Sequence, residues 1–343
     1  MKKILLIFII LFLTGCYDYM EINDLGFITA IGIDYEEDTY KATFEILDDS
    51  DDIQKIKSES KTISNLFDNI SLIISKVPDY HHLKTVIISK SVAQNHLKEL
   101  TDFLIRSPEI RNEFLLVVCE GTSPLELFKK DSKESIGEKI AKLIKTSKNQ
   151  TNISYDRSFE DILEKILNKK MEATASVITL ENDEITLKGI GLFKGYNYKY
   201  FLDTKKSSLL NILNKENTNY SIFIENMETK IYESNVKYDF KENTVTININ
   251  AKAKIIENTT QMDLKDNKNY LIIEKKLNKV LENDLNDLIN NLKDNNIDAI
   301  NLNDRQYKKT RKNRNNYLKN ADIKINIDTK INWKGSIFQI DEN

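Results

Sequence analysis

The chain has 343 residues, and its 50 basic and 53 acidic side chains give a formal net charge of −3 at pH 7. This balance argues against a protein that binds nucleic acid through a basic surface. With 40% hydrophobic residues, 9 glycines and 3 prolines, the composition excludes a disordered stalk and predicts a folded chain of two or three domains.

Residues 1–15 have the anatomy of a lipoprotein signal peptide. Two lysines precede a continuous apolar segment, residues 4–13, which is too short to span a bilayer. The segment is followed by threonine, Gly15 and Cys16, where the small glycine lets a peptidase approach and the thiol can accept a diacylglyceryl group. We therefore predict cleavage between Gly15 and Cys16 and a mature chain anchored by lipid on Cys16. The alternative is a plain secretory signal in which the cysteine is incidental.

The first part of the mature chain, residues 16–182, is predicted to be a mixed α/β domain. β-Branched residues over 26–34 and alternation over 39–47 predict a hairpin. Apolar residues at helical spacing predict a buried helix over 60–77 that ends before Pro78. Further strands are predicted over 83–89 and 113–119, and further helices over 92–105, 134–147 and 159–169.

Two further regions are predicted beyond this domain. Residues 183–216 form a small β-rich middle region, and residues 217–343 form a C-terminal domain. In the latter, a pair of antiparallel strands precedes a long helix over 268–293 and a last strand over 321–333, whose alternating isoleucines indicate one buried face. The predicted fold class is α+β, a multi-domain mixed α/β protein with antiparallel sheets and packed helices.

Few residues could carry chemistry. Once Cys16 holds lipid, Cys119 has no partner for a disulfide, and its apolar strand indicates a buried thiol. The adjacent His81 and His82 would point to opposite faces of a regular strand, where they could not bind one metal. The carboxylates lie in polar stretches that give no reason for a raised pKa. We expect no enzyme, no metal and no cofactor beyond the lipid on Cys16.

A basic cluster near the C-terminus leaves two interpretations open. Its cations could contact anionic lipid headgroups, at about 1 kcal/mol each near the surface. Alternatively they form a solvated helix face paired with nearby acids, which a chain this rich in charge favours. The six cations are Arg305, Lys308, Lys309, Arg311, Lys312 and Arg314.

Short motifs in a fixed order along nearly the whole chain carry a family resemblance. They are Gly15-Cys16-Tyr17-Asp18, Glu21-Ile22-Asn23-Asp24-Leu25, Gly32-Ile33-Asp34, His82-Leu83-Lys84, Ile87-Ile88-Ser89, Arg106 with Ile110-Arg111, Gly189-Ile190-Gly191-Leu192-Phe193-Lys194 and Trp333-Lys334-Gly335. Together with the lipid signal they resemble the Ger(x)C family, the lipoprotein C subunits of bacterial spore nutrient-germinant receptors. Tyr17 departs from the tryptophan that is usual in the family, and Tyr19 and Met20 replace a pair that is commonly charged.

The resemblance implies a function and partners. It implies a non-catalytic subunit, needed for receptor assembly or signalling, on the extracytoplasmic face of the spore inner membrane. Two integral-membrane subunits would be its partners, and whether it binds a small molecule stays open. The alternative is a solute-binding lipoprotein of a transporter, which predicts two parallel-sheet lobes. The motif residues that are candidates for partner contact are Asp18, Glu21, Asn23, Asp24, Gly32 and Asp34.

Overall fold

The computed structural model describes residues 21–48, 52–129, 133–168, 170–216, 218–260, 262–264, 266–312 and 316–333. Two sheets and their packed helices make up the fold. The first sheet holds β1 (Leu25–Glu36), β2 (Thr39–Leu47), β3 (Ile53–Ser60), β4 (Val77–Asp79), β5 (Thr85–Ser89), β6 (Leu115–Cys119), β7 (Thr174–Glu181), β8 (Glu184–Lys194) and β9 (Asn197–Leu202). The second holds β10 (Tyr220–Ile224), β11 (Met227–Lys241), β12 (Thr244–Asn258) and β13 (Asp322–Trp333).

The helices lie between the strands along the chain. They are α1 (Ile63–Asp68), α2 (Lys90–Asn95), α3 (Leu97–Arg106), α4 (Ile136–Gln150), α5 (Phe159–Leu167), α6 (Thr204–Leu213), α7 (Asn267–Asp294), α8 (Leu302–Thr310) and α9 (Tyr317–Asn320). Short 3-10 turns lie at Ile22–Asp24, Asn69–Leu72 and Pro124–Phe128. The predicted α+β class is confirmed.

The first sheet combines a parallel centre with antiparallel flanks. Its order is β3-β2-β1-β5-β6-β7-β8-β9, and β4 pairs with the start of β1. The central strands β1, β5, β6 and β7 run parallel because helices cross over between β5, β6 and β7. β5 and β6 are almost entirely buried, as expected of parallel strands that are covered on both faces. The hairpin predicted for β1 and β2 is confirmed.

Helices cover both faces of this sheet. Helices α1, α2, α3 and α5 pack on one face, where Ile31 and Ile33 of β1 point. Helix α4 and the turn Pro124–Phe128 pack on the other, against Ala30. The side-chain period of two along β1 therefore separates two cores.

The helix predicted over 60–77 is wrong beyond Leu72. Helix α1 ends at Asp68 and is followed by the turn Asn69–Leu72, after which the chain extends into β4. Two causes act together: Pro78 disfavours helical backbone at Val77, and β4 gains a strand partner in β1. Ile73 and Val77, which the helical pattern places in the core, are exposed.

The second sheet is mixed. The predicted antiparallel pairing of β11 with β12 is confirmed, and β10 pairs antiparallel with β11. The last strand, β13, runs parallel to β12. Helix α7 explains this direction, because its 28 residues return the chain by about 42 Å to the end where β12 began.

Residues 183–216 connect the two sheets. Strands β8 and β9 extend the first sheet beyond β7, and α6 packs against α7 in the core of the second. The division into an N-terminal domain, a middle region and a C-terminal domain stays a prediction.

Candidate functional site

The predicted motif residues at the N-terminus lead into β1. Glu21, Asn23 and Asp24 are exposed on and beside the turn Ile22–Asp24, directly before the first strand. Their carboxylates and amide are therefore accessible to another molecule. Gly15, Cys16 and Asp18 lie outside the described residues.

Gly32 and Asp34 lie inside the first sheet and hold the turn Pro124–Phe128. A Cβ on Gly32 would lie about 2.5 Å from a ring carbon of Phe128, so only glycine leaves room for this ring. Asp34 is 5% exposed, and its carboxylate accepts hydrogen bonds from the Ser123 hydroxyl at 2.5 Å and the Tyr35 amide at 2.8 Å. Both motif residues thus contact their own chain.

A buried carboxylate that the sequence analysis missed joins β2 to the start of α4. Glu45 is 1% exposed and caps helix amides that have no partner within the helix. Its oxygens accept from the Thr29 hydroxyl (2.7 Å), the Ser135 hydroxyl (2.6 Å) and the amides of Ile136 (2.8 Å) and Gly137 (3.4 Å). This cluster fixes α4 on β1 and β2, and we call it the Glu45 latch.

Cys119 is buried in β6, as predicted. It is 1% exposed, and burial raises the pKa of its thiol to about 12, with smaller contributions from Asp34 and Glu120. A thiol with this pKa is protonated at neutral pH and is a poor nucleophile.

The three histidines contact different side chains. His81 and His82 are in the turn after β4 rather than on a strand, and His81 Nδ1 lies 3.0 Å from a carboxylate oxygen of Asp79. His96 Nδ1 lies 3.1 Å from the Tyr40 hydroxyl. Within the described residues, no three His, Cys, Asp or Glu side chains are grouped so that they could hold a metal ion.

Two carboxyl groups differ from the expectation of solvated charge. Burial raises the pKa of Glu172 to about 7, although Lys194 nearby acts in the opposite direction. Burial also raises the pKa of Asp298 to about 6, and this carboxylate accepts hydrogen bonds from the amides of Leu302 (2.8 Å) and Asn303 (2.7 Å) at the start of α8. Asp298 therefore serves as a helix cap.

Part of the basic cluster is turned toward the protein. The guanidinium of Arg305 lies 4.7 Å from the Tyr238 ring centre, and its Nε donates to a backbone carbonyl. Lys308 pairs with Asp304 at 2.8 Å. Arg314 is outside the described residues. Contact of the remaining cations with lipid stays a prediction.

None of the helices in the described ranges combines the length and the apolar composition that crossing a bilayer requires.

Comparison with known families identifies the chain. Residues 18–180 match the family described as spore germination protein N-terminal domain, and residues 188–335 match the family described as spore germination B3/GerAC like, C-terminal. The chain belongs to the Ger(x)C family. This confirms the resemblance that the short motifs indicated.

Relatives of this Ger(x)C protein match over most of their length. It is 22% identical over 347 residues to the Bacillus subtilis (strain 168) protein YfkR, covering 92% of this chain and 89% of that protein. It is 22% identical over 355 residues to spore germination protein KC of the same organism, covering 89% and 86%. The crystal structure of the GerBC protein shares the fold with a TM-score of 0.54 at 16% identity, covering 88% of this chain and 96% of that chain.

Proposed function

We propose that this Ger(x)C protein is the lipid-anchored, non-catalytic C subunit of a spore nutrient-germinant receptor. One observation carries the proposal: the lipid signal that ends at Cys16 is followed directly by both germination-family regions, over 18–335. Acyl lipid on Cys16 holds the chain on the extracytoplasmic face of the spore inner membrane. There it supports assembly or signalling of the receptor, together with two integral-membrane subunits.

The placement of the reactive groups supports a non-catalytic role. The Cys119 thiol is buried and protonated, and the Asp298 carboxylate caps a helix. The Glu45 carboxylate has four donors from its own chain. These buried groups serve the fold.

The alternative of a solute-binding lipoprotein fits the fold less well. It requires two lobes that are each built on a parallel sheet. In the second sheet, β10 with β11 and β11 with β12 are antiparallel. The family membership also favours the receptor subunit.

Substitution of the anchor residue tests the proposal. Spores that carry Cys16→Ala should contain the protein outside the membrane fraction and should germinate poorly with nutrients. Cys119→Ala is the matched control, because it removes the other cysteine, which is buried in β6. It should keep both the lipid and germination. Mass spectrometry of the N-terminal peptide should show acylated Cys16 in the wild-type and Cys119→Ala proteins.

Normal nutrient germination by spores with soluble Cys16→Ala protein would contradict the proposal. An unmodified Cys16 in protein from wild-type spores would also contradict it. The partner part is tested separately, by capture of the tagged chain from detergent-solubilised spore membranes. Two multi-helix membrane proteins should be recovered with it, and their absence from a stable preparation would refute this part.

A further inference from the structure

Four large apolar side chains are exposed at the end of the first sheet where β1 begins. Ile22 is 68% exposed, Leu72 85%, Ile73 55% and Val77 44%. Ile22 lies in the turn directly before β1, and Val77 pairs with Leu25, the first residue of β1. Single exposed apolar residues are common, but a group at one end of a molecule marks an interaction surface. We call these four residues the entry patch.

The length of chain before the entry patch limits its distance from the lipid anchor. Six residues lead from Cys16 to Ile22, and each adds at most about 3.6 Å, so the two lie within about 22 Å of each other. Leu72 and Ile73 share this end of the molecule, because the next residue, Ile74, lies beside Gly26 of β1. Lipid on Cys16 therefore keeps the entry patch close to the membrane surface.

A basic cleft of about 340 Å³ opens at the same edge of the sheet. It lies where β5 and β6 begin: the Lys84 amide donates to the Thr29 carbonyl at 2.9 Å, and the Leu115 amide donates to the Lys84 carbonyl at 2.8 Å. Thr29 is four residues along β1 from Leu25, or about 13 Å. The walls carry the cations Lys84, Arg111, Lys142 and Lys145, the acids Glu113 and Asp156, and the imidazole of His81.

Three cations of the cleft are available to an external anion. Lys142 contacts the carboxylate of Glu134 at 2.8 Å. Lys84, Arg111 and Lys145 are exposed, and none of the three has an ion-pair partner in the described part of the chain. Long basic side chains can extend their charges several ångströms toward a surface while their stems stay on the protein.

We propose that this edge of the molecule lies against an anionic lipid bilayer. The entry patch enters the boundary between headgroups and acyl chains, and the cleft cations Lys84, Arg111 and Lys145 face anionic headgroups. Apolar side chains beside basic ones are the combination by which proteins bind a membrane interface. The inference rests on the proposed lipid anchor, which brings this edge to the membrane.

A chemical tether tests the inference without relying on lipidation in the cell. The chain from Cys16 to Asn343 contains every described residue, and it can be coupled through Cys16 to vesicles that carry a maleimide lipid. Cys119 does not compete, because it is buried and its pKa is raised to about 12. Lipidation itself is tested by mass spectrometry of spore protein, so failure of one proposal is distinguishable from failure of the other.

Tryptophan fluorescence then reports which surface enters the lipid. The chain has one tryptophan, so Trp333→Phe provides a silent background. Leu72→Trp probes the entry patch, and Ile73→Trp repeats the probe if the first variant unfolds. Leu271→Trp is the control, because it is 64% exposed and lies about 20 Å along α7 from Asp284, which contacts α6. Lipids with brominated acyl chains quench only a tryptophan that enters the bilayer.

We expect blue-shifted, quenched emission from Leu72→Trp and water-like, unquenched emission from Leu271→Trp. Unquenched emission from both patch probes would show that lipid does not cover the entry patch and would overturn the proposal. Quenching of the α7 probe to the same extent would overturn the orientation. Unquenched patch probes are also the result expected if membrane subunits, and not lipid, cover the entry patch in spores.

The cleft is tested by charge. Phosphatidylglycerol in the vesicles should increase quenching of Leu72→Trp relative to phosphatidylcholine alone. Changing Lys84, Arg111 and Lys145 to glutamine should abolish this increase, because each cation near the surface contributes roughly fivefold to binding. Glutamine substitutions at three exposed cations on other surfaces should leave the increase in quenching unchanged. An increase that survives in the cleft variant would overturn the role of the cleft. The control cations are Lys199, Lys237 and Lys324.

Discussion

Replacing Glu45 by alanine is expected to lower the free energy of unfolding by about 3 kcal/mol. The hydroxyls of Thr29 and Ser135 can rotate toward other acceptors, but the amides of Ile136 and Gly137 are fixed by the start of α4. A buried donor without an acceptor costs about 1–3 kcal/mol, so the two amides cost about 2–6 kcal/mol. Removing a buried charge offsets part of this cost, which places the net loss in the lower half of that range.

Hydrogen exchange measures the effect where it arises. Amides at the start of α4 should exchange faster in Glu45→Ala by about 100-fold, which corresponds to about 3 kcal/mol. Glu45→Gln keeps one acceptor oxygen and should fall between alanine and the wild type. Glu59→Ala removes an exposed carboxylate on the neighbouring strand β3 and should change stability by less than about 0.5 kcal/mol. Equal exchange in Glu45→Ala and Glu59→Ala would refute the latch.

Two further predictions concern the buried titratable groups. Because folding raises the pKa of Glu172 from 4.5 to about 7, the folded chain binds this proton more tightly, and stability falls as pH rises through that window. Glu172→Gln should therefore raise Tm at pH 8 and leave it nearly unchanged at pH 5; parallel Tm curves for the two proteins would contradict this. In a Cys16→Ser chain, the Cys119 thiol should react with a thiol reagent only after denaturation, and fast labelling of the folded chain would contradict its burial.

Local sequence signals predicted which segments form helices and strands better than they predicted which of these elements lie side by side. The alternation over 39–47 and the apolar run over 115–119 are visible in the sequence because one strand determines its own period. The attachment of β7, β8 and β9 to the first sheet depends on the pairing of β7 with the distant strand β6, and the parallel direction of β13 depends on its pairing with the distant strand β12. The prediction of a helix over 60–77 was wrong for the same reason, because β1, the strand partner of β4, is some 50 residues away.

The Glu45 latch shows what a local signal omits. Glu45 follows Thr39, Lys41 and Thr43 at the polar positions of the alternating strand β2, and Ser135 is a recognisable N-cap. Each signal is ordinary by itself. Glu45 and Ser135 are 90 residues apart in the chain, and no local periodicity predicts that they are in contact.

The family motifs separate into two kinds once the fold is known. Gly32 and Asp34 are buried and hold the chain together, so their presence follows from packing. Glu21, Asn23 and Asp24 are exposed at the edge that carries the entry patch and the basic cleft. With the proposed lipid on Cys16, a short tether would place this edge near any subunit embedded in the membrane. We therefore expect partner contacts to depend on the three exposed residues, whereas changes at the two buried ones act on the fold.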